Sequence, residues 1–337
     1  MELVALFAFP DGRPLRSTYT NITLLDAQLS LISAFYDVLS NSLTSGPRFL
    51  FFDVNYAVAC ANLWVLVESR RRGVHSWFLK HPAWALVLCN ANGAGIVLPL
   101  YLYLVCRSKA RLRDVSVPRH EAAALLVSAV IILLQPLLVF APVWIGRGGS
   151  TLHHGCIVLF QIAPVGVLLF QFGLASILPR EGSDVLPSSS VRESKKWVVA
   201  SLILAGTFAA AVHFYIVVGA LLTCDRDASW TRLFVPAYGF GDPIGALPKG
   251  TGLPMEYMAL IENLHLFSQW DWVVVALTSI LYSHLLLSCQ DGAGKATVTL
   301  RKAPVEAQEL VYLTIATVIL GPGAAGSFAL AIREGRI

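Results

Sequence analysis

An apolar run that keeps a charge is where chemistry is worth looking for, because an ionised side chain out of reach of water is costly unless paired or used. Three carboxylates stand in such runs: Asp53 in FFDVNYAVAC, Glu68 in ANLWVLVESRRRG, and Asp271 between Trp270 and Trp272 at the end of MEYMALIENLHLFSQWDW. A carboxyl group shielded from water can act as a proton donor that starts chemistry through a carbocation, and neighbouring aromatic faces stabilise the positive charge that results.

Helical geometry says which of these groups can meet. At about 100° per residue, Asp53, Ala57, Cys60, Trp64 and Glu68 share one face, with Tyr56 at its margin and Asn55, Asn62 and Ser69 opposite. Asp53 and Glu68 are fifteen residues apart, which at 1.5 Å of rise per residue separates them by roughly 22 Å and prevents them from forming a dyad. In the second stretch Glu262, His265, Gln269 and Trp272 share a face, and Asp271 lies on the other, near Thr278 and Tyr282. Glu68 has two readings: it faces a cavity that keeps it protonated, or it sits at the membrane surface, where Arg70, Arg71 and Arg72 act as an interfacial anchor and hold it ionised. The bland alternative for Asp271 is a carboxylate hydrogen-bonded between helices.

The elements that must position these residues are transmembrane helices. Of 337 residues, 56% are hydrophobic and only 14% charged, against about a quarter charged in soluble domains, and the mean hydropathy is +0.65. Apolar blocks long enough to cross a bilayer, which takes about 20 residues, fall at 49–69, 81–106, 121–145, 155–178, 197–222, 257–288 and 307–331. An all-α membrane bundle of seven helices is expected over 49–337, preceded by an N-terminal segment, 1–48. Its stretch Asn21 to Leu43 alternates polar and apolar faces and reads as a helix lying on the membrane, or as an eighth span.

The long connection from Cys224 to about Glu256 (224–256), rich in Gly, Pro and aromatics, is expected to serve as a lid or binding loop. Basic residues fall on successive loops in a way that leaves orientation open, and Asn21-Ile22-Thr23 forms a glycosylation sequon. Six cysteines without CxxC or Cys/His spacing indicate neither a disulfide framework nor a zinc site, and no basic stripe in a soluble segment points to nucleic acid. Asn90, Asn92, Gln135, Gln161, Gln171 and His213 read as interhelical hydrogen-bonding groups. Phosphate-binding loops, nucleophile elbows and zinc-protease motifs are absent, and Asp225 and Asp227 are a lone acidic pair rather than a magnesium-diphosphate motif.

FFDVNYAVACANLWVLVESRRRG, Phe51 to Gly73, together with FSQWDW, Phe267 to Trp272, resembles the fungal integral-membrane terpene cyclases of meroterpenoid pathways, of the kind that closes ascochlorin- and ascofuranone-like products. The resemblance implies a cofactor-free, metal-independent bundle. In it an acid protonates a terminal epoxide or alkene of a prenylated aromatic substrate such as a farnesyl phenol, rings close through carbocations, and a base removes a proton. Carried over, the Glu of that family falls on Glu68, with Asn62 and Trp64 before it, and the Asp on Asp271. In the better-known branch the acid directly follows the Trp, whereas Val65, Leu66 and Val67 intervene here, which leaves Asp53 as a rival. Trp64, Trp270, Trp272 and Tyr56 would then stabilise cations or shape the chain, while Asn62, Gln269 and His265 would contact substrate. The expected location is integral in the endoplasmic reticulum membrane. The competing class, a seven-helix receptor or small transporter, lacks the D-R-Y and N-P-x-x-Y signatures and the paired interrupted helices that would mark it.

Overall fold

The computed structural model describes residues 9, 12–42, 44–74, 76–109, 116–179, 187–222, 228–236, 255–288 and 307–336. Most of the 224–256 connection, including Asp225 and Asp227, lies outside the described residues, as do Cys224 and Cys289. Among the described residues the chain is helical, with no strand. The helices are α1 (Thr23–Ser40), α2 (Ser45–Ser69), α3 (Trp77–Lys80), α4 (Ala83–Asn92), α5 (Ala94–Lys109), α6 (Arg119–Leu134) and α7 (Leu137–Trp144), followed by α8 (Thr151–Ile177), α9 (Pro187–Leu222), α10 (Trp230–Phe234), α11 (Met255–Ser288), α12 (Ala307–Leu320) and α13 (Pro322–Arg336).

Four of these, α2, α8, α9 and α11, are long and apolar enough to cross a membrane unbroken, and α6 with α7 makes a fifth if that bent pair is one span. The seven continuous helices read from the sequence are therefore not all present as such. The block at 81–106 is divided by Gly93, whose φ of 92° is open to glycine and strained for other residues. That at 121–145 bends by 40° after Leu134, where Pro136 removes a backbone donor. That at 307–331 breaks at Gly321, φ 85°, followed by Pro322 at the first position of α13. Hydropathy averages over a window and does not register a one-residue break.

The chain packs as two compact units, each drawn from three separated segments. The first comprises Met1–Asn55, Gln135–Ile162 and Tyr215–Val273. An aromatic network joins its helices: Tyr36 on α1 lies 5.0 Å from Phe51 on α2 and 5.5 Å from Phe160 on α8, Phe52 lies 4.7 Å from Phe140 on α7, and Phe35 lies 5.5 Å from Phe267 on α11. Each such edge-to-face or tilted pair adds about 0.5–1.5 kcal/mol beyond its burial. On α1, Ser30, Ser33, Asp37 and Ser40 are wholly buried beside Leu29, Ile32, Val38 and Leu39, while Leu24 and Leu31 are exposed.

The polar side of α1 is satisfied inside the unit. Asp37 accepts from Arg13 at 2.8 Å and lies 2.9 Å from His153 Nδ1, and Arg13 also donates to the Tyr257 hydroxyl at 2.6 Å. At the start of α1, Asp26 accepts from the backbone N–H groups of Tyr19, Thr20 and Asn21, capping the turn that enters the helix.

The second unit comprises Tyr56–Leu134, Ala163–Phe214 and Val274–Ile337. Small residues let its helices approach closely: a Cβ on Gly326 would overlap the Trp64 indole, and one on Gly206 would lie 2.8 Å from the Phe328 ring. Polar groups tie the helices together as expected at two of the positions named above. Gln171 donates to the Glu121 carbonyl and carboxylate and accepts from Ser128, and His213 bonds the Val318 carbonyl. Asn92 instead bonds Leu88 within its own helix, and Gln161, in the first unit, is buried with neither amide atom bonded among the described residues.

Candidate active site

In the first unit the predicted polar face of α11 is a buried face. Glu262, His265, Gln269 and Trp272 are all at most 9% exposed, as their spacing requires. That face holds the short helix α10 against it. The Arg232 guanidinium pairs with Glu262, the Arg232 carbonyl accepts from His265 Nε2 at 2.9 Å and from Gln269 Nε2 at 2.6 Å, and Gln269 reaches the Val235 carbonyl at 3.4 Å. These bonds take up carbonyls at the end of a helix too short to satisfy them itself. They also set Phe234 4.9 Å from the Trp272 ring, with Trp230 4.7 Å beyond it.

Trp272 Nε1–H donates to Asp53 Oδ2 at 2.7 Å, linking α11 to α2. Asp53 is 3% exposed. The unit thus assembles a carboxyl group, an indole and a phenyl ring, with His265 and Gln269 on the same helix face. Its neighbours in sequence do not join it. Trp270 is half exposed and Asp271 is only partly buried, because one and two residues before Trp272 the helix has turned by about 100° and 200° away from the buried face. Asp271, read from the sequence as an acid deep in an apolar run, is thus partly buried and off the face that carries Trp272.

In the second unit Glu68 is buried among charges rather than in a dry apolar pocket. Arg71 donates to it through Nε at 2.7 Å and Nη2 at 3.2 Å, Arg333 approaches it at 3.5 Å, and both arginines also reach Glu334. Burial alone would weaken the hold of Arg71 on its proton, but Glu68 and Glu334 more than reverse this and push its pKa up, so it stays charged. The arginines are not the exposed anchor read from the sequence. Arg71 is 4% and Arg70 8% exposed, with Arg70 lying 4.5 Å over the Phe172 ring and donating to the Lys80 carbonyl; Arg72 alone of the three is exposed. A recess beside Glu68, lined also by Ser69, Tyr101 and Ser108, has room for little more than a water molecule and is far short of a ligand pocket.

The other predicted residues of this unit have surroundings of their own. Trp64 donates its indole N–H to Ser327 Oγ at 2.8 Å and stacks 6.5 Å from Tyr282. Tyr56 lies 5.3 Å from the Phe208 ring, and Asn62 is buried with its Oδ1 unbonded among the described residues. No group of three or more His, Cys, Asp or Glu side chains placed to hold a metal occurs among the described residues.

The sequence matches the CtvD domain over residues 2–337, which is nearly its whole length. The chain belongs to the CtvD-domain family. It is 76% identical to "Terpene cyclase DEP1" of Alternaria brassicicola over 98% of this chain and 89% of that protein, and 64% identical to the protein of the same name in Fusarium langsethiae with the same coverage. More distantly, it is 28% identical to "Terpene cyclase alnG" of Emericella nidulans over 96% of this chain and 83% of that protein. No solved structure matches it. The resemblance to fungal terpene cyclases is thereby borne out at the level of the family.

In each unit of this CtvD-domain protein, several residues around the candidate groups carried no signal of their own in the sequence. Arg232 and Phe234 sit in an irregular, aromatic-rich connection, and Arg333, Glu334 and Ser327 in a C-terminal helix of mostly small residues. A lone ionisable residue near a helix end is the only mark Arg333 and Glu334 offered. Its partner across the unit is set by packing.

Proposed function

We propose that this protein is a membrane-bound terpene cyclase in which Asp53 donates the proton that starts the reaction. The observation that carries this reading is the 2.7 Å bond from Trp272 Nε1 to Asp53 Oδ2 in a buried, aromatic-walled setting. Family membership and relatives named terpene cyclase support the reaction class. The indole N–H engages Oδ2 and fixes the orientation of the carboxyl group that carries the acid proton. From there the proton passes to a terminal epoxide oxygen or alkene carbon of a prenylated substrate, for which a farnesyl phenol is the proposed case. As the C–O bond of the epoxide breaks, the π electrons of the next alkene close the ring and pass the cation along the chain. The faces of Trp272 and Phe234 stabilise it there, and loss of a proton completes an isomerisation that consumes no metal or nucleotide.

Glu68 is assigned a different task. Hydrogen-bonded by Arg71 and approached by Arg333, Glu68 suits an anchor between α2 and α13 better than a proton donor. Asp271, partly exposed beside Trp270, is likewise not assigned the initiating proton.

The test uses microsomes containing the full chain and a terminally epoxidised farnesyl phenol, with no added metal or nucleotide. A cyclic product of unchanged mass is expected from the wild type and not from Asp53→Asn. Cyclisation by Asp53→Asn at the wild-type rate would remove Asp53 from its role. An unaltered probe in the wild-type reaction would count against the reading as a whole.

A further inference from the structure

Resting on the reading of Asp53 as proton donor, we propose that His265 is the base that ends the reaction, accepting the proton whose loss forms the alkene of the product. The imidazole is 0% exposed. Its Nε2 lies 2.9 Å from the Arg232 carbonyl. A carbonyl only accepts, so Nε2 carries the hydrogen and the Nδ1 of the neutral ring presents a lone pair. Nδ1 is buried and has no hydrogen-bond partner among the described residues. A buried basic nitrogen with no donor on it is what quenching a carbocation requires: the lone pair is available, and bulk water, which would trap the cation as an alcohol, is kept away.

The placement along α11 fits the division of labour. His265 shares its face with Trp272, seven residues on, so the two lie about 10 Å apart along the helix axis. Trp272 holds Asp53. A folded prenyl chain of two or three isoprene units bridges such a distance, so the proton is delivered and removed at different carbons. The charged groups at this end of the face are Glu262 on α11 and Arg232 on α10, which pair with each other. The imidazole therefore works beside an ion pair rather than beside a lone cation.

The step balances. The C–H bond next to the cationic carbon breaks, its electron pair becomes the second bond of the alkene, and the proton goes to Nδ1. The imidazolium that results still donates from Nε2–H to the Arg232 carbonyl. Asp53 has lost one proton and His265 has gained one, and exchange with water after product release restores both. The product is an isomer of the substrate.

Two variants separate this role from mere support of α10. His265→Gln keeps an N–H near the Nε2 position for the Arg232 carbonyl but has no basic nitrogen, and His265→Asn places an amide near the Nδ1 position instead. Each is expressed as the full membrane-bound chain, checked for a monodisperse peak in detergent, and given the epoxidised farnesyl phenol. Both are expected to go on consuming the probe while the native alkene, as a share of what is consumed, falls about 100-fold in favour of alcohols or isomeric alkenes. An unchanged product mixture from either folded variant overturns the assignment. If Asp53→Asn stops consumption while His265→Gln leaves the mixture unchanged, only the base assignment falls. If the wild type leaves the probe intact, the donor reading falls and this one falls with it.

Discussion

Trp272 and Asp53 are 219 residues apart in the chain and joined by a buried 2.7 Å hydrogen bond. The bond fixes the carboxyl group at the edge of the indole, so that Trp272 contributes both a hydrogen-bond donor and a ring. Removing the indole donor while keeping a ring separates these contributions. Trp272→Phe is expected to leave an acceptor of Asp53 without this donor, cost about 1–3 kcal/mol of stability, and slow cyclisation, whereas Trp270→Ala, at an exposed position, is expected to change thermal melting little. Melting curves in detergent together with initial rates check both.

Asp53→Asn retains a carbonyl that accepts from Trp272 and removes the acid. The expected result is a folded protein whose turnover is lower by about 100-fold or more. Wild-type melting alongside lost turnover marks the acid as chemical rather than structural.

Glu68→Gln is predicted to act on stability instead. It leaves Arg71 and Arg333 sharing Glu334, and breaking a buried pair by removing one partner costs about 3–5 kcal/mol. A lowered melting temperature with turnover per folded molecule preserved is the expected pattern. Loss of turnover at an unchanged melting temperature would return Glu68 to the chemistry.

Gly326→Ala tests the packing of α13 on α2. The added Cβ would overlap the Trp64 ring and the Ser279 hydroxyl, and overpacking of this kind costs about 1–3 kcal/mol. Differential scanning fluorimetry in detergent, compared with Gly155→Ala, where a Cβ meets open space, reads the difference.

Acid sensitivity should originate at the polar side of α1. Burial alone would raise the Asp37 pKa, but the hydrogen bond from His153 and the charge of Arg13 outweigh it and hold the group below its usual 3.8. Asp26 is lowered too, its backbone and Thr20 hydrogen bonds overcoming desolvation. A carboxylate depressed on folding stabilises the protein above the unfolded pKa, and that contribution is lost as pH falls through the folded value. Melting temperature is therefore expected to hold from neutral pH to about 4 and to drop below it, with a shallower drop in Asp37→Asn.

Composition and period carried much of this molecule. The apolar blocks specified an all-helical fold with helices long and apolar enough to cross a membrane, and the spacing of Glu262, His265, Gln269 and Trp272 identified the buried face of α11 correctly, because a 3.6-residue repeat is set locally by the backbone. Two stretches, Phe51–Gly73 and Phe267–Trp272, were enough to recognise the family. On α2 the same reasoning had no purchase: 94% of its most apolar window is buried, so every face meets protein and none is singled out. The breaks at Gly93 and Gly321 were below the resolution of hydropathy, since one residue in the left-handed region changes a window average very little. The partners of the acids were decided only in three dimensions. Asp53 meets Trp272 and not its neighbour Trp270, and Glu68 meets Arg333 while Arg71 meets Glu334 near the far end of the chain, because a sequence states how a side chain is angled on its own helix but not which helix packs against it.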